Sequence, residues 1–195
     1  MGEAAGARRS GRGVQSVELQ LDEGGVALVV GLWHRLVEAG LPSQARHPSP
    51  THRPHITLVA VSDLPKGADA ALGGVVAGRL PVDGRWGKVT LFGAGPWTVV
   101  WRVSPSRAMA ELQVRVASVC AVPADSLTAP QQWTAHVTLA RRVGESDRPA
   151  VLDVLAEPVR AEVGRVLVAP AVRRWDAAHR REWVVGSART PSAQA

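Results

Sequence analysis

Arg53-Pro54-His55-Ile56-Thr57-Leu58-Val59-Ala60-Val61 and Trp133-Thr134-Ala135-His136-Val137-Thr138-Leu139-Ala140-Arg141 share one pattern, His-apolar-Thr-apolar, 81 residues apart. In an extended strand successive side chains point to opposite faces. His55 and Thr57 therefore share one face while Ile56 and Leu58 bury the other, and His136 and Thr138 do the same opposite Val137 and Leu139. With 46% hydrophobic residues and 8 Thr among 195, a given histidine meets this pattern by chance with a probability of roughly 0.009. Two hits among six histidines then have odds on the order of one in a thousand, so the doubled motif is a signal.

Outward from the first motif, Val17, Leu19 and Leu21 alternate with Ser16, Glu18 and Gln20, which predicts a half-buried strand. Asp22 stands where an N-cap belongs, and an apolar stripe from Val26 to Val37 predicts a helix that Gly40 and Pro42 stop. A polar, Pro-rich loop then leads to His55. Beyond that strand, Leu64-Pro65 opens a Gly-diluted helix to about Arg79, followed by two strand-like runs with a bend around Asp83-Gly84.

After the break at Gly93–Pro96 the order recurs. A strand holds Trp97, Val99, Trp101 and Val103; Ser104 as N-cap and Pro105 at the first helical position start a helix striped by Met109, Leu112, Val116 and Val119. A Pro/Ser loop leads to the His136 strand, then a short helix around Arg148 to Ala156, strands near Val159 to Val168, and a terminal run centred on Trp183-Val184-Val185. Val17 and Val99 are 82 residues apart, as are Glu23 and Pro105, so the halves read as an internal duplication. Two copies of one unit packed about a pseudo-two-fold axis bring their histidines into opposition across a cleft. The division expected is a tail over 1–13, one bilobal domain over 14–187 with repeat units of about 14–92 and 97–187, and a tail over 188–195.

Composition narrows the function classes. No run approaches the roughly 18 apolar residues of a membrane span, and the first residues hold basic side chains but no apolar signal region. The expectation is a cytoplasmic protein with no membrane association, and a monomer. A single cysteine, Cys120, rules out an intramolecular disulfide and sits in an apolar stripe, as a buried structural thiol does. The net charge of +6 suits a polyanionic partner, although a chain whose basic residues other than Lys66 and Lys88 are all Arg also fits a compositional bias.

Two imidazoles titrating near neutrality divide acid and base work, one accepting a proton while the other donates. A hydroxyl two residues on, on the same face, holds an anionic oxygen. That set suits transfer at a phosphodiester and needs neither metal nor cofactor. Zinc catalysis asks for three protein ligands, and neither strand offers a carboxylate or thiol beside its histidine on the same face. His47 and His52, in their Pro-rich loop, read as solvent-exposed, and His34 and His179 read as surface residues.

From Val14 to Ser187 the chain resembles the 2H phosphoesterase superfamily, and within it the bacterial 2′-5′ RNA ligase or RNA 2′,3′-cyclic phosphodiesterase (LigT-like) family, down to the wording Ala135-His136-Val137-Thr138-Leu139-Ala140-Arg141-Arg142. The resemblance implies an α/β (α+β) bilobal fold, two mostly antiparallel sheets flanking a central cleft with helices outside. It implies action on RNA ends, at 2′,3′-cyclic phosphates or 2′-5′ linkages, with His55 as general acid, His136 as general base, and Thr57 and Thr138 as phosphate-binding residues. Arg141 matches the position after the second motif, although alternation from Thr138 turns it away from His136. With no Tyr and only Phe92 as Phe, base stacking falls to Phe92, an Arg plane or a Trp, Trp133 being the candidate and a core role its rival. Two other readings stand beside this one: a phosphodiesterase for small cyclic nucleotides or ADP-ribose-derived cyclic phosphates, and a non-catalytic RNA-binding module.

Overall fold

The structure, a computed structural model, describes residues 13–188; of the tails expected at 1–13 and 188–195, residues 1–12 and 189–195 lie outside the described residues. The elements run β1 (Gln15–Gln20), α1 (Glu23–Glu38), a 3-10 turn (Gln44–Arg46), β2 (His55–Val61), α2 (Ala68–Val76), β3 (Val82–Phe92), β4 (Trp97–Pro105), α3 (Arg107–Val119), β5 (His136–Val143), α4 (Arg148–Glu162), β6 (Val166–Ala169), β7 (Ala171–Asp176) and β8 (Arg181–Ser187). The strands form two four-stranded sheets, ordered β2-β1-β7-β8 and β5-β4-β3-β6, with every pairing antiparallel. This is the α+β architecture of two antiparallel sheets that the family resemblance implies.

The two orders superimpose if β2 stands for β5, β1 for β4, β7 for β3 and β8 for β6, so the duplication is visible in the topology. The sheets nevertheless do not follow the repeat units. The third strand of each sheet comes from the other unit: β3 pairs with β4 across the short Gly93–Pro96 connection, and β7 returns to pair with β1. Adjacent strands joined by a tight turn pair at little entropic cost, which explains why β3 sides with the second half. One continuous apolar core results, running from Val17, Leu36 and Ile56 to Trp101, Leu139 and Leu155.

Local signals place most of the elements. Asp22 caps α1 by accepting from the Gly25 amide at 2.8 Å. The cap of α3 is Ser106, whose hydroxyl accepts from the Met109 amide at 3.2 Å, two residues past the expected Ser104; Pro105 instead ends β4. In α2 the helix waits until Ala68 because Gly67 adopts φ +82 between it and Pro65. Helix α4 runs through Pro158 to Glu162, beyond its expected end at Ala156, because Val151, Leu155 and Val159 form one buried stripe across the proline.

The expected bend at Asp83-Gly84 is absent, and β3 is a single strand of 11 residues. Gly84 serves close approach instead: a Cβ there would stand 2.8 Å from Val103 Cγ1 and 2.9 Å from the Ser104 carbonyl oxygen. The strand's irregularity falls between Trp86 and Val89, where the Gly87 carbonyl accepts from Trp101 Nε1 at 2.8 Å. Among the described residues no helix is long and apolar enough to cross a membrane. Gly84→Ala is expected to cost about 1–3 kcal/mol in urea unfolding, through overpacking against β4.

Candidate active site

Each motif strand carries the same distortion. Val17 pairs with Val59 but Glu18 with Thr57, and Val99 pairs with Ala140 but Val100 with Thr138, so Leu58 and Leu139 are extra residues in their strands. In each bulge two consecutive residues, Leu58-Val59 and Leu139-Ala140, are fully buried. Alternation flips at that point, and Arg141 returns to the face of His136 and Thr138, lining the cleft instead of turning away. Its counterpart after the first bulge is Ala60, so this guanidinium has no partner in the other motif.

A bulge leaves backbone groups outside the ladder, and here side chains from the opposite repeat unit take them. Trp33 on α1 donates its Nε1–H to the Thr138 carbonyl at 3.0 Å, and Trp133, in the loop before β5, donates to the Thr57 carbonyl at 2.8 Å. Gln113 on α3 donates to the Leu58 carbonyl at 3.3 Å. The sequence offers Trp133 as a stacking residue; the structure packs it half-buried against the core, pinning the strand of His55.

His55, Thr57, His136 and Thr138 line one cleft of about 200 Å³ between the sheets. The two imidazoles are held alike. His55 Nδ1 lies 2.8 Å from the Arg53 carbonyl and His136 Nδ1 2.7 Å from the Thr134 carbonyl, each two residues back. A carbonyl only accepts, so each ring donates from Nδ1 and leaves Nε2 for the cleft. Burial pushes the His136 pKa below its ordinary value; the Thr134 carbonyl opposes the shift, and charge at His55, Arg141 and Arg102 reinforces it. Phe92 meets His136 edge-on, the centroids 5.0 Å apart.

Sequence alternation puts Glu18 on a polar face, and the structure makes that face the cleft wall. Glu18 is 5% exposed; its Oε1 accepts from Ser16 Oγ at 2.6 Å and its Oε2 from Arg173 Nε at 2.7 Å. The same Oε1 lies 3.6 Å from His55 Nε2, an ion pair whenever that ring carries its second proton. Arg173 NH1 reaches on to Glu182, which also binds Arg53. Burial acts to raise the Glu18 pKa, but the charges of His55 and Arg173 and the hydrogen bonds from Ser16 and Arg173 hold it below the ordinary carboxylate value. At the position matching Glu18 the second unit has Val100. Only the fold brings Glu18 and Arg173, 155 residues apart, together.

His52 departs from the exposed setting expected of it. Its ring lies between Trp33, with centroids 5.0 Å apart and planes at 11°, and His47, at 4.2 Å and 25°. Burial first, then charge at His47, His55 and Arg173, lowers its pKa to about 4. His34 and His179 are exposed, as read from sequence. Cys120 is buried, and burial raises its thiol to about 11, which keeps it protonated. Among the described residues no group of three or more His, Cys, Asp or Glu side chains is arranged to hold a metal ion.

Two antiparallel sheets of matching strand order, each presenting a His-apolar-Thr strand to one cleft, define the class of the molecule as the two-histidine phosphoesterase fold. The chain belongs to the 2′-5′ RNA ligase superfamily, which matches residues 29–171. No curated protein matches its sequence. Among solved structures it is similar to Usb1 of Kluyveromyces marxianus, at 10% identity and a TM-score of 0.48 over 88% of this chain and 97% of that one. It is similar also to E. coli LigT complexed with 3′-AMP, at 14% identity and a TM-score of 0.41 over 87% and 95% of the two chains.

The His52 geometry gives a pH prediction for stability. The ring stays neutral in the fold down to about pH 4 but protonates near 6.5 in the unfolded chain, which therefore binds more protons in between. Stability present above 6.5 is lost as pH falls toward 4. Thermal unfolding of His52→Asn is expected to show a smaller fall in Tm across that window than the wild type; an equal fall contradicts the assignment.

Proposed function

We propose that the chain is a metal-independent phosphodiesterase for the 2′,3′-cyclic phosphate ends of RNA, with 2′-5′ ligation as the outcome when a 5′-hydroxyl takes the place of water. The observation that carries this reading is the convergence of two equivalently held imidazoles, each with its threonine, on one cleft between the sheets. Membership of the 2′-5′ RNA ligase superfamily supports it.

In this mechanism His136 Nε2 takes a proton from water as the water oxygen attacks phosphorus. The bond from phosphorus to one ribose oxygen breaks, and that oxygen receives the Nε2 proton of His55. The Thr57 and Thr138 hydroxyls and the Arg141 guanidinium hold the non-bridging oxygens as charge builds on them. The two threonines are equivalent, so the motif itself leaves the direction of proton flow open; the flanking residues break the tie. His136 is half-buried on the strand paired with Val100, with arginines nearby, which favours the neutral base, whereas the Glu18 carboxylate stands 3.6 Å from His55 Nε2 and marks that side as the donor's. When the 5′-hydroxyl of a second strand takes the place of water, His136 accepts its proton, the P–O bond to the ribose 3′ oxygen breaks with His55 protonating that oxygen, and a 2′-5′ linkage forms; the histidines exchange roles only when that linkage is cleaved back to the cyclic phosphate. A cleft of about 200 Å³ suits one terminal nucleotide better than an internal stretch of chain. The reading places the enzyme in the cytoplasm.

Turnover of uridine 2′,3′-cyclic phosphate in EDTA is expected, with loss on the order of a hundredfold or more in His55→Ala and in His136→Ala, each folded by circular dichroism. The pH profile of kcat/KM should be bell-shaped, its acid limb below 6.5 because His136 is held neutral. Activity abolished by the chelator, or either alanine variant retaining full turnover, contradicts the mechanism. RNA binding that survives His136→Ala, from a wild type that cleaves nothing, marks a non-catalytic binding module instead.

A further inference from the structure

Resting on the reading above, we propose that the column of rings Trp33–His52–His47 is the subsite for the nucleobase of the terminal nucleotide, with the outer face of His47 as the stacking platform. Three observations carry it. First, the column is ordered: the Trp33 indole is anchored to the Thr138 carbonyl, His52 lies nearly parallel on it, and His47 lies on His52 with centroids 4.2 Å apart. His47 is fixed in turn, its Nδ1 accepting from the Ser49 amide at 3.2 Å. Second, the column stands in the right place. Both His47 and His52 line the cleft with His55 and His136, and His52 meets His55 edge-on at 6.3 Å between centroids. Third, the outermost ring is exposed, with one face covered by His52.

A flat ring fixed at the mouth of a phosphate cleft offers an aromatic surface that nucleobases stack on whatever their sequence. The inner ring is suited to backing it, since burial keeps His52 uncharged and a neutral imidazole does not repel a second one laid on it. The segment is stiffened for the purpose by Pro48, Pro50 and Pro54, which restrict the backbone between the two histidines and the motif. Stacking without hydrogen-bond readout implies tolerance for both purines and pyrimidines.

The test compares uridine 2′,3′-cyclic phosphate with methyl riboside 2′,3′-cyclic phosphate, which lacks the base. In the wild type kcat/KM favours the substrate with the base. His47→Ala is expected to cut that preference roughly tenfold, mostly through KM, and His47→Trp to restore it. A purely structural role for His47 would lower both substrates together and leave the preference intact, which overturns the proposal. A preference lost in Trp175→Ala, a tryptophan that also lines the cleft, and kept in His47→Ala overturns it as well. Calorimetric titration with 3′-UMP reads the subsite without turnover: a roughly tenfold weaker Kd in His47→Ala supports it even if the cleavage reading fails, and an unchanged Kd refutes it.

Discussion

Two indole N–H groups hold this molecule in its working shape. Each motif strand bulges just past its threonine, and a bulge buried at a sheet junction leaves a carbonyl that must be paired or cost about 1–3 kcal/mol. Trp33 from the first repeat unit satisfies the Thr138 carbonyl of the second, and Trp133 from the second satisfies the Thr57 carbonyl of the first. The two units thus stitch each other together at the residues that face the cleft. The tryptophans are not repeats of one another, since the position matching Trp133 is His52. The same constraint has been met twice by different residues, and in the first unit the matching position was left for a ring in the column at the cleft mouth.

On that symmetric frame the chemistry is asymmetric. Backbone carbonyls two residues back orient both imidazoles identically. What differs is the strand beside each: Glu18 next to the first, Val100 next to the second, and after the bulges Ala60 against Arg141. Burying Glu18 and Arg173, each 5% exposed, carries a desolvation cost that their attraction offsets only with good geometry and further partners. Ser16, Thr51 and Glu182 supply them. Such a network is a poor way to stabilise a sheet and a good way to keep a fixed negative charge under one of two otherwise equivalent histidines.

The parts of this fold that depend on neighbours in sequence could be read from the sequence. The doubled motif, the Asp22 cap and the apolar stripes of α1 and α3 all follow from spacing. What depended on distant pairing could not. Exchange of β3 and β7 between the repeat units is decided by which strands meet. Both bulges escape a reading built on strict alternation, and with them the return of Arg141 to the cleft. Glu18 looked like the solvent side of a half-buried strand because Arg173 lies 155 residues away. His52 looked like a loop histidine because nothing local reveals the Trp33 indole beneath it.

The most direct test of the central claim is a crystal structure with a non-hydrolysable nucleotide bearing a 3′-phosphate. One phosphate is expected between the two strands, with His55 Nε2 and His136 Nε2 each in hydrogen-bond reach of its oxygens and the Thr57 and Thr138 hydroxyls on the remaining ones. A phosphate bound by only one of the two motifs, or held outside the cleft by surface arginines, would contradict it.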